Sequence, residues 1–274
     1  MPPSEPTTLA PLHRALIDRA VDRLSADPRI VGVAAAGSYA QDAMDEFSDV
    51  DLVVAVEPAA HAGVMAQRHD IASRVGPLLA AFTGEHVGEP RLLICLYGPP
   101  VLHVDLKFVA LPDAAARIDE PVVLWEREGR LSAVLATSSA RHPQTDPQWI
   151  EDRFWVWIHY AATKIGRGEL FEAIDHLAFL RGRVLAPLGL DELGLRASGV
   201  RRLEMLAPAL AAELKATAAV HEAASVLRAA LACVAVYRRL RTAQGDRVQW
   251  RNAAEAAAVG YLAEVETRYG SAGR

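Results

Sequence analysis

The sequence predicts a mixed α/β N-terminal domain, followed by an all-α C-terminal helical bundle. In the first half of the 274 residues, short apolar runs of strand length alternate with segments of helical periodicity. Beyond a polar connector that contains prolines, the second half is rich in alanine and leucine at helical spacing. Chains of this length tend to divide into two cores, and we predict domains at residues 1–141 and 142–274.

The first half begins with a predicted helix over residues 9–24, where apolar positions recur at helical spacing. Four runs have the length and apolar composition of strands: residues 30–36, 52–56, 91–97 and 102–111. Gly-Pro-Pro joins the last two, which favours a hairpin. Residues 61–82 have helical character, and residues 122–131 predict an edge strand and a turn.

The second half begins at Asp146, which precedes Pro147. An aspartate cap followed by a proline is typical of a helix start, and the pattern predicts a helix to about Gly166. A second helix is predicted over residues 169–185, and three more fit before the C-terminus.

The composition excludes several classes of protein. A formal net charge of −5 with 51% hydrophobic and 23% charged residues describes an ordinary soluble protein and makes nucleic acid an unfavoured partner. There is no apolar run of membrane-spanning length and no signal-peptide layout at the N-terminus, so we expect a cytoplasmic protein without a membrane partner. Cys95 and Cys233 lie in apolar segments and are expected in the core. A homodimer is left open.

Two alternate aspartates, Asp49 and Asp51, open the second strand. Because the side-chain period of a strand is two, both carboxylates project from one face. Such a pair repels itself unless a cation lies between, and carboxylate oxygens at an open site suit Mg²⁺. Asp105 lies within the apolar strand "HVDLKF", where a bare carboxylate is costly to bury. An adjacent strand could deliver it to the same metal.

Gly37 and Ser38 end the first strand and open a short predicted helix. Backbone N–H groups and a hydroxyl at such a turn can bind an anion, and phosphate is the obvious one. The Gly-Ser turn and the Asp-x-Asp pair are each weak signals alone. Their joint occurrence, followed by a strand aspartate about fifty residues later, is far more specific.

The stretches "GSYAQDAMDEFSDVDLVV" and "HVDLKF" resemble the DNA polymerase β-like nucleotidyltransferase superfamily, in its aminoglycoside and lincosamide nucleotidyltransferase branch. The resemblance implies an N-terminal domain built as a mixed sheet flanked by helices. It implies that Gly37 and Ser38 hold the triphosphate, and that Asp49, Asp51 and Asp105 are catalytic and bind two Mg²⁺ ions. It also implies a helical domain that helps to bind the acceptor and contributes a triphosphate-binding lysine. The sequence departs from the pattern in one place: many members have a glycine where Asp42 stands.

Lys164 is the candidate for that lysine, because only three of the 29 basic residues are lysines. It could instead complement the dipole at the end of its helix. Alternatives exist for the other residues too. Asp105 could simply pair with Lys107 or Arg91, Ser38 could be a helix cap, and His103 could be a surface residue. Acidic residues of the first bundle helices, such as Glu151, could attract a cationic acceptor or be solvated.

The leading functional hypothesis is Mg²⁺-dependent transfer of a nucleoside monophosphate from an NTP, with ATP favoured, to a hydroxyl of a small, antibiotic-like acceptor. One alternative is nucleotidylation of a protein target, as in toxin–antitoxin systems. Another is a non-catalytic regulator that binds nucleotide, against which the intact set of three aspartates argues.

Overall fold

The computed structural model describes residues 6–272 and divides the chain into two compact units, the first ending at His142 and the second beginning at Pro143. The first unit contains, in chain order, α1 (Pro11–Ser25), β1 (Ile30–Ala35), α2 (Gly37–Ala40), β2 (Val50–Val56), α3 (His61–Ala66), α4 (Arg68–Val75), β3 (Leu78–Gly84), β4 (Glu89–Tyr97), β5 (Leu102–Ala110), β6 (Val122–Glu126) and α5 (Arg130–Leu135).

These strands form one six-stranded sheet in the order β3-β4-β5-β2-β1-β6. β2 and β5 run parallel, whereas the other neighbouring pairs are antiparallel. The predicted mixed sheet, the β4–β5 hairpin and the edge strand β6 are therefore confirmed.

One face of the sheet packs against the helices of the first unit. Alternate residues of β2 and β5 are buried there, because a strand directs every second side chain to the same side. Apolar positions of α1 at helical spacing cover them, and together they form most of the core of this unit: Leu16, Leu24, Leu52, Val54, Leu106 and Phe108. The opposite face is only partly covered by a smaller cluster around Leu131. This leaves polar positions of β2 and β5 available for a site.

The second unit is helical, as predicted. It contains α6 (Pro147–Arg167), α7 (Leu170–Leu180), α8 (Ala186–Glu192), α9 (Leu203–Leu206), α10 (Pro208–Leu214), α11 (Ala223–Ala243) and α12 (Asn252–Ala272). α6 begins where the sequence indicates, since the Asp146 carboxylate accepts a hydrogen bond from the Trp149 N–H at 2.9 Å. None of the helices in the described part of the chain has the length and apolar character needed to cross a membrane.

Two predicted elements are wrong in extent. The helical prediction over 61–82 fails after Val75, because Gly76 and Pro77 interrupt the helix and Leu78–Gly84 instead pairs with β4 as the edge strand β3. The helix predicted to end at 185 continues through a π-turn, Arg181–Leu185, into α8. Both cysteines are buried, as expected.

A buried carboxylate links α6, α11 and the segment before α12 by hydrogen bonds. Glu151 of α6 is 1% exposed and accepts hydrogen bonds from the Trp155 indole and the Tyr237 hydroxyl. It also accepts from the Arg251 backbone N–H at 2.7 Å and from the Arg241 guanidinium at 3.1 Å. Burial alone would raise the pKa of Glu151, but these donors outweigh burial and lower it. Neither sequence interpretation of Glu151 was right, because the carboxylate is internal.

We expect Glu151→Leu to destabilise the second unit by about 3–5 kcal/mol, because it leaves the buried Arg241 charge without one of its partners. Urea denaturation of the full chain, followed by tryptophan fluorescence, measures this change. Asp152→Asn is the matched control: this exposed neighbour pairs with Arg251 at the surface, and such pairs contribute about 0–1 kcal/mol. Equal losses in the two variants would contradict the assignment.

The same network predicts a pH dependence. Because folding lowers the pKa of Glu151 below its ordinary value of 4.5, its contribution to stability is present above that pH. It is lost as the pH falls through the lower pKa of the folded state. Glu151→Leu should therefore flatten the acid limb of stability against pH, whereas Asp152→Asn should flatten it less.

Candidate functional site

Asp51 and Asp105 lie side by side on the sheet. In the parallel pairing of β2 with β5, Asp51 is the direct partner of Asp105. The residues that flank the two aspartates are buried on the core face: Val50, Leu52, Val104 and Leu106. Since alternate side chains point to opposite faces, both carboxylates project from the less covered face, on strands about 4.8 Å apart.

Asp49 precedes β2 by one residue, and its negative charge acts on the Asp105 carboxylate. Burial raises the pKa of Asp105, the neighbouring His103 opposes this rise, and the negative charge of Asp49 adds to it. Three carboxylates thus share one region of the first unit. In water alone their mutual repulsion disfavours this arrangement, which a bound cation would relieve.

Asp105 has a partner that sequence reasoning missed. His103 Nε2 lies 2.9 Å from Asp105 Oδ1, and the two residues share a face because they are two apart on β5. The spacing of two residues on a predicted strand was the sequence signal that could have revealed this contact. The alternative pairing of Asp105 with Lys107 or Arg91 is wrong, since both cations contact Glu89 instead, at 2.8 Å and 2.7 Å.

Gly37 allows the turn after β1 to lie against Asp51. Its φ of +55° is left-handed, and a Cβ at this position would lie 1.9 Å from Asp51 Oδ2. The Ala36 N–H donates to the Asp51 carbonyl at 2.9 Å, which keeps the two segments in contact. A side chain at residue 37 therefore has no room unless Asp51 moves.

Ser38 lies within α2 and is not its cap, because Ala36 occupies the cap position; the helix-cap alternative is wrong. Its Oγ is buried and has no hydrogen-bond partner among the residues that the structure describes. A buried hydroxyl without a partner is uncommon and costly. Here it leaves a donor one residue after Gly37, which packs against Asp51, and an anionic ligand could accept its hydrogen bond.

Asp42, the residue that replaces the common glycine, adopts a left-handed φ of +49°. Among residues with side chains, aspartate and asparagine tolerate this conformation best, which explains how it can stand in for glycine. Its carboxylate accepts a hydrogen bond from the Thr7 N–H at 2.8 Å. The additional carboxylate is thus already hydrogen-bonded to the N-terminal segment.

The loop that leads into Asp49 is fixed from two sides. His13 Nε2 lies 2.8 Å from the Ser48 carbonyl oxygen, which links α1 to the start of β2. Within the loop, the Asp45 carboxylate accepts from the Phe47 N–H at 3.0 Å, and the Ser48 hydroxyl accepts from the Asp45 N–H at 2.9 Å. These bonds hold the point from which Asp49 projects.

Lys164, the remaining candidate, belongs to the second unit, whereas Gly37, Ser38 and the three aspartates come together in the first. Lys164 Nζ lies 2.6 Å from Glu169 Oε2 and 5.1 Å from the centre of the Tyr160 ring. The hydrogen bond to Glu169 raises the pKa of Lys164. The lysine is therefore charged and already paired within its own unit.

Within residues 6–272, no group of three or more His, Cys, Asp or Glu side chains is assembled closely enough to form a ready metal site. The donors nevertheless fit Mg²⁺ in kind: Asp51 and Asp105 are in register, and Asp49 is close enough to affect the pKa of Asp105. Carboxylate oxygens on an open face are the ligands this ion prefers. Asp49, Asp51 and Asp105 are thus the residues that would hold it.

Comparison with known proteins gives one match to a family. Residues 17–78 match the model of the nucleotidyltransferase domain, and this segment contains Gly37, Ser38, Asp49 and Asp51. No curated protein matches the sequence significantly.

Two solved structures are similar to the chain at low identity. A crystal structure of an aminoglycoside 6-adenyltransferase from Bacillus subtilis is 16% identical, with a TM-score of 0.41, over 92% of this chain and 97% of that chain. A nucleotidyltransferase-like protein from Exiguobacterium sibiricum 255-15 is 14% identical, with a TM-score of 0.38, over 85% of this chain and 77% of that chain. Residues 17–78 of the first unit are thus similar to a nucleotidyltransferase domain.

Proposed function

We propose that this enzyme transfers a nucleoside monophosphate from an NTP, with ATP favoured, to a hydroxyl of a small, antibiotic-like molecule, and that transfer depends on Mg²⁺. The observation on which this rests is the pairing of Asp51 with Asp105 beside the Gly37–Ser38 turn, in a unit whose residues 17–78 match the model of a nucleotidyltransferase domain. The pairing puts two carboxylates on the less covered face of the sheet, and the turn is the proposed binding place for phosphate.

Each residue has a proposed role. Gly37 and Ser38 bind the triphosphate, because Gly37 lets the turn lie against Asp51 and the Ser38 hydroxyl has a hydrogen bond to donate. Asp49 and Asp51 would hold the Mg²⁺ of the nucleotide, and Asp105 would complete the metal site. When bound, the ion neutralises phosphate charge and polarises the phosphoryl group.

Asp105 is proposed to accept the proton of the attacking hydroxyl. As the acceptor oxygen forms its bond to the α-phosphorus, the bond to the leaving pyrophosphate breaks and the hydroxyl proton passes to the Asp105 carboxylate. This role rests on the direct pairing of Asp105 with Asp51, the neighbouring carboxylate. His103, at 2.9 Å, orients this carboxylate.

The second unit is proposed to take part in acceptor binding and, through Lys164, in triphosphate binding. It contains an open cavity of about 840 Å³ whose lining includes Trp149, Phe179 and Arg183. Cavities of this size commonly hold small molecules.

The experiment that tests this function is incubation with each α-labelled NTP, with Mg²⁺ or with EDTA, and a panel of aminoglycosides and lincosamides. Mass spectrometry then locates the label. We expect Mg²⁺-dependent label on a small molecule, greatest with ATP, and none with Asp51→Asn. Label on protein would favour nucleotidylation of a protein target, and nucleotide binding without transfer to either would favour a regulator.

We expect Gly37→Ala to weaken Mg·ATP binding, because its Cβ displaces the Asp51 carboxylate. The matched control is Gly129→Ala: Gly129 has a similar φ of +70° in the same unit, but a Cβ there meets open space. Both variants incur the same backbone cost of roughly 1 kcal/mol. Calorimetric titration with a non-hydrolysable ATP analogue compares them, and equal affinities would refute the role of close packing against Asp51.

We expect Asp105→Asn to leave Mg·ATP binding largely intact but to slow single-turnover transfer by about 10²–10⁴, the usual effect of losing a positioned base. Higher pH should restore part of the rate, because more of the acceptor is then ionised. Binding and transfer are measured on one preparation. Transfer at the parental rate would remove Asp105 from the catalytic set.

A further inference from the structure

A row of paired residues crosses the sheet through the candidate site. From the edge inward, Phe82 of β3 pairs with Ile94 of β4, Ile94 pairs with Asp105 of β5, and Asp105 pairs with Asp51 of β2. Directly paired residues of neighbouring strands share a face. The apolar side chains of Phe82 and Ile94 therefore continue the line of the carboxylates, on the same side of the sheet.

These side chains belong to a larger apolar surface, which we call the shelf: Phe82, Leu92, Ile94 and Leu96. The residues between them on β4, Leu93 and Cys95, are buried on the core face. Phe82 is 54% exposed and Leu96 is 39% exposed, and Leu92 and Ile94 are partly exposed. The shelf thus contributes little to the core of the unit.

An exposed apolar edge is a liability, because it invites association with other chains. Contiguous exposed apolar surface on a folded protein often marks a binding site. Here the surface begins at Ile94, the direct partner of Asp105, so a molecule lying on it has one end at the proposed base.

The charges around the shelf disfavour a polycation. Lys107, which pairs with Leu92, borders the shelf and contacts Glu89, and Glu89 is also held by Arg91. This group of one acid and two bases has no surplus negative charge. The carboxylates of Asp49, Asp51 and Asp105 are assigned to Mg²⁺ and to proton transfer, so none of these acids is left to bind several ammonium groups.

We propose that the shelf binds the apolar body of the acceptor, and that the acceptor is a hydroxylated molecule with an extended apolar portion and not a polycationic sugar. This inference rests on the proposed function. The reacting hydroxyl lies at Asp105, and the apolar portion lies over Ile94 and Phe82, across about 10 Å of sheet. Phe82 and Leu96 are the residues that determine specificity.

The test is calorimetric titration of the full chain, with Mg²⁺ and a non-hydrolysable ATP analogue present. The probes are a lincosamide and octyl β-D-glucoside below its micelle concentration, compared with glucose and an aminoglycoside. We expect the two apolar-bodied probes to bind, and Phe82→Ser or Leu96→Ser to weaken them by about tenfold through lost apolar contact. Ile118→Ser, a change of an apolar residue 52% exposed outside the shelf, should leave their affinities unchanged.

Three results would overturn the proposal that the shelf binds the acceptor. The first is that neither apolar-bodied probe binds. The second is that Phe82→Ser and Ile118→Ser change the probe affinities equally, and the third is that Phe82→Ser weakens aminoglycoside binding as much as it weakens binding of the apolar-bodied probes. Sedimentation adds another: a parental dimer that Phe82→Ser converts to monomer would show that a second copy occupies the surface.

Binding of the ATP analogue, measured on the same samples, separates the two proposals. If the ATP analogue binds normally but the affinities of the probes do not change in Phe82→Ser, the proposal for the shelf is refuted and the proposed function is not. Absent nucleotide binding in the parent refutes the proposed function, and the response of the probes to Phe82→Ser still decides whether the surface binds apolar alcohols.

Discussion

The candidate site depends on the parallel register between β2 and β5. A shift of one residue in either strand would turn its aspartate toward the core, because neighbouring side chains point to opposite faces. The apolar residues on the core face, among them Leu52, Leu106 and Phe108, prevent such a shift, since it would expose them to water. The same hydrophobic packing that stabilises the unit therefore also aligns Asp51 with Asp105.

The site itself contains several features that reduce the free energy of unfolding, within a unit that is otherwise well packed. Gly37 adopts a left-handed conformation, Ser38 keeps a buried hydroxyl without a partner among the described residues, and Asp105 is a half-buried carboxylate beside other acids. Each feature is unfavourable for folding alone. All of them become favourable if phosphate accepts the Ser38 hydrogen bond and a cation lies among the carboxylates. Costs concentrated at one point of an otherwise consistent fold are typical of functional sites.

Much of this could be predicted from the sequence, and the failures have physical causes. The period of two on β2 and β5 revealed the strands and the faces of their aspartates. The edge strand β3 was missed because its alanine-rich sequence has no strand alternation, and its conformation is determined by pairing with β4. The shelf was missed for the same reason, since only the register shows that Phe82 lies in line with Asp105. His103 was visible in principle, two residues before Asp105, but a single histidine gives no sign of its partner.

Two carboxylates within apolar segments show what sequence alone cannot distinguish. Glu151 lies on a helix whose neighbours bring donors from α11 and the segment before α12, and these lower its pKa despite burial. Asp105 lies on a strand whose opposite neighbours are Ile94 and Asp51, and its pKa is raised. A carboxylate whose hydrogen bonds are all satisfied has no capacity left for a ligand, so Glu151 is structural. Asp105 has a histidine contact at 2.9 Å on the less covered face of the sheet, and it is the carboxylate that we propose for a metal, a proton and a substrate.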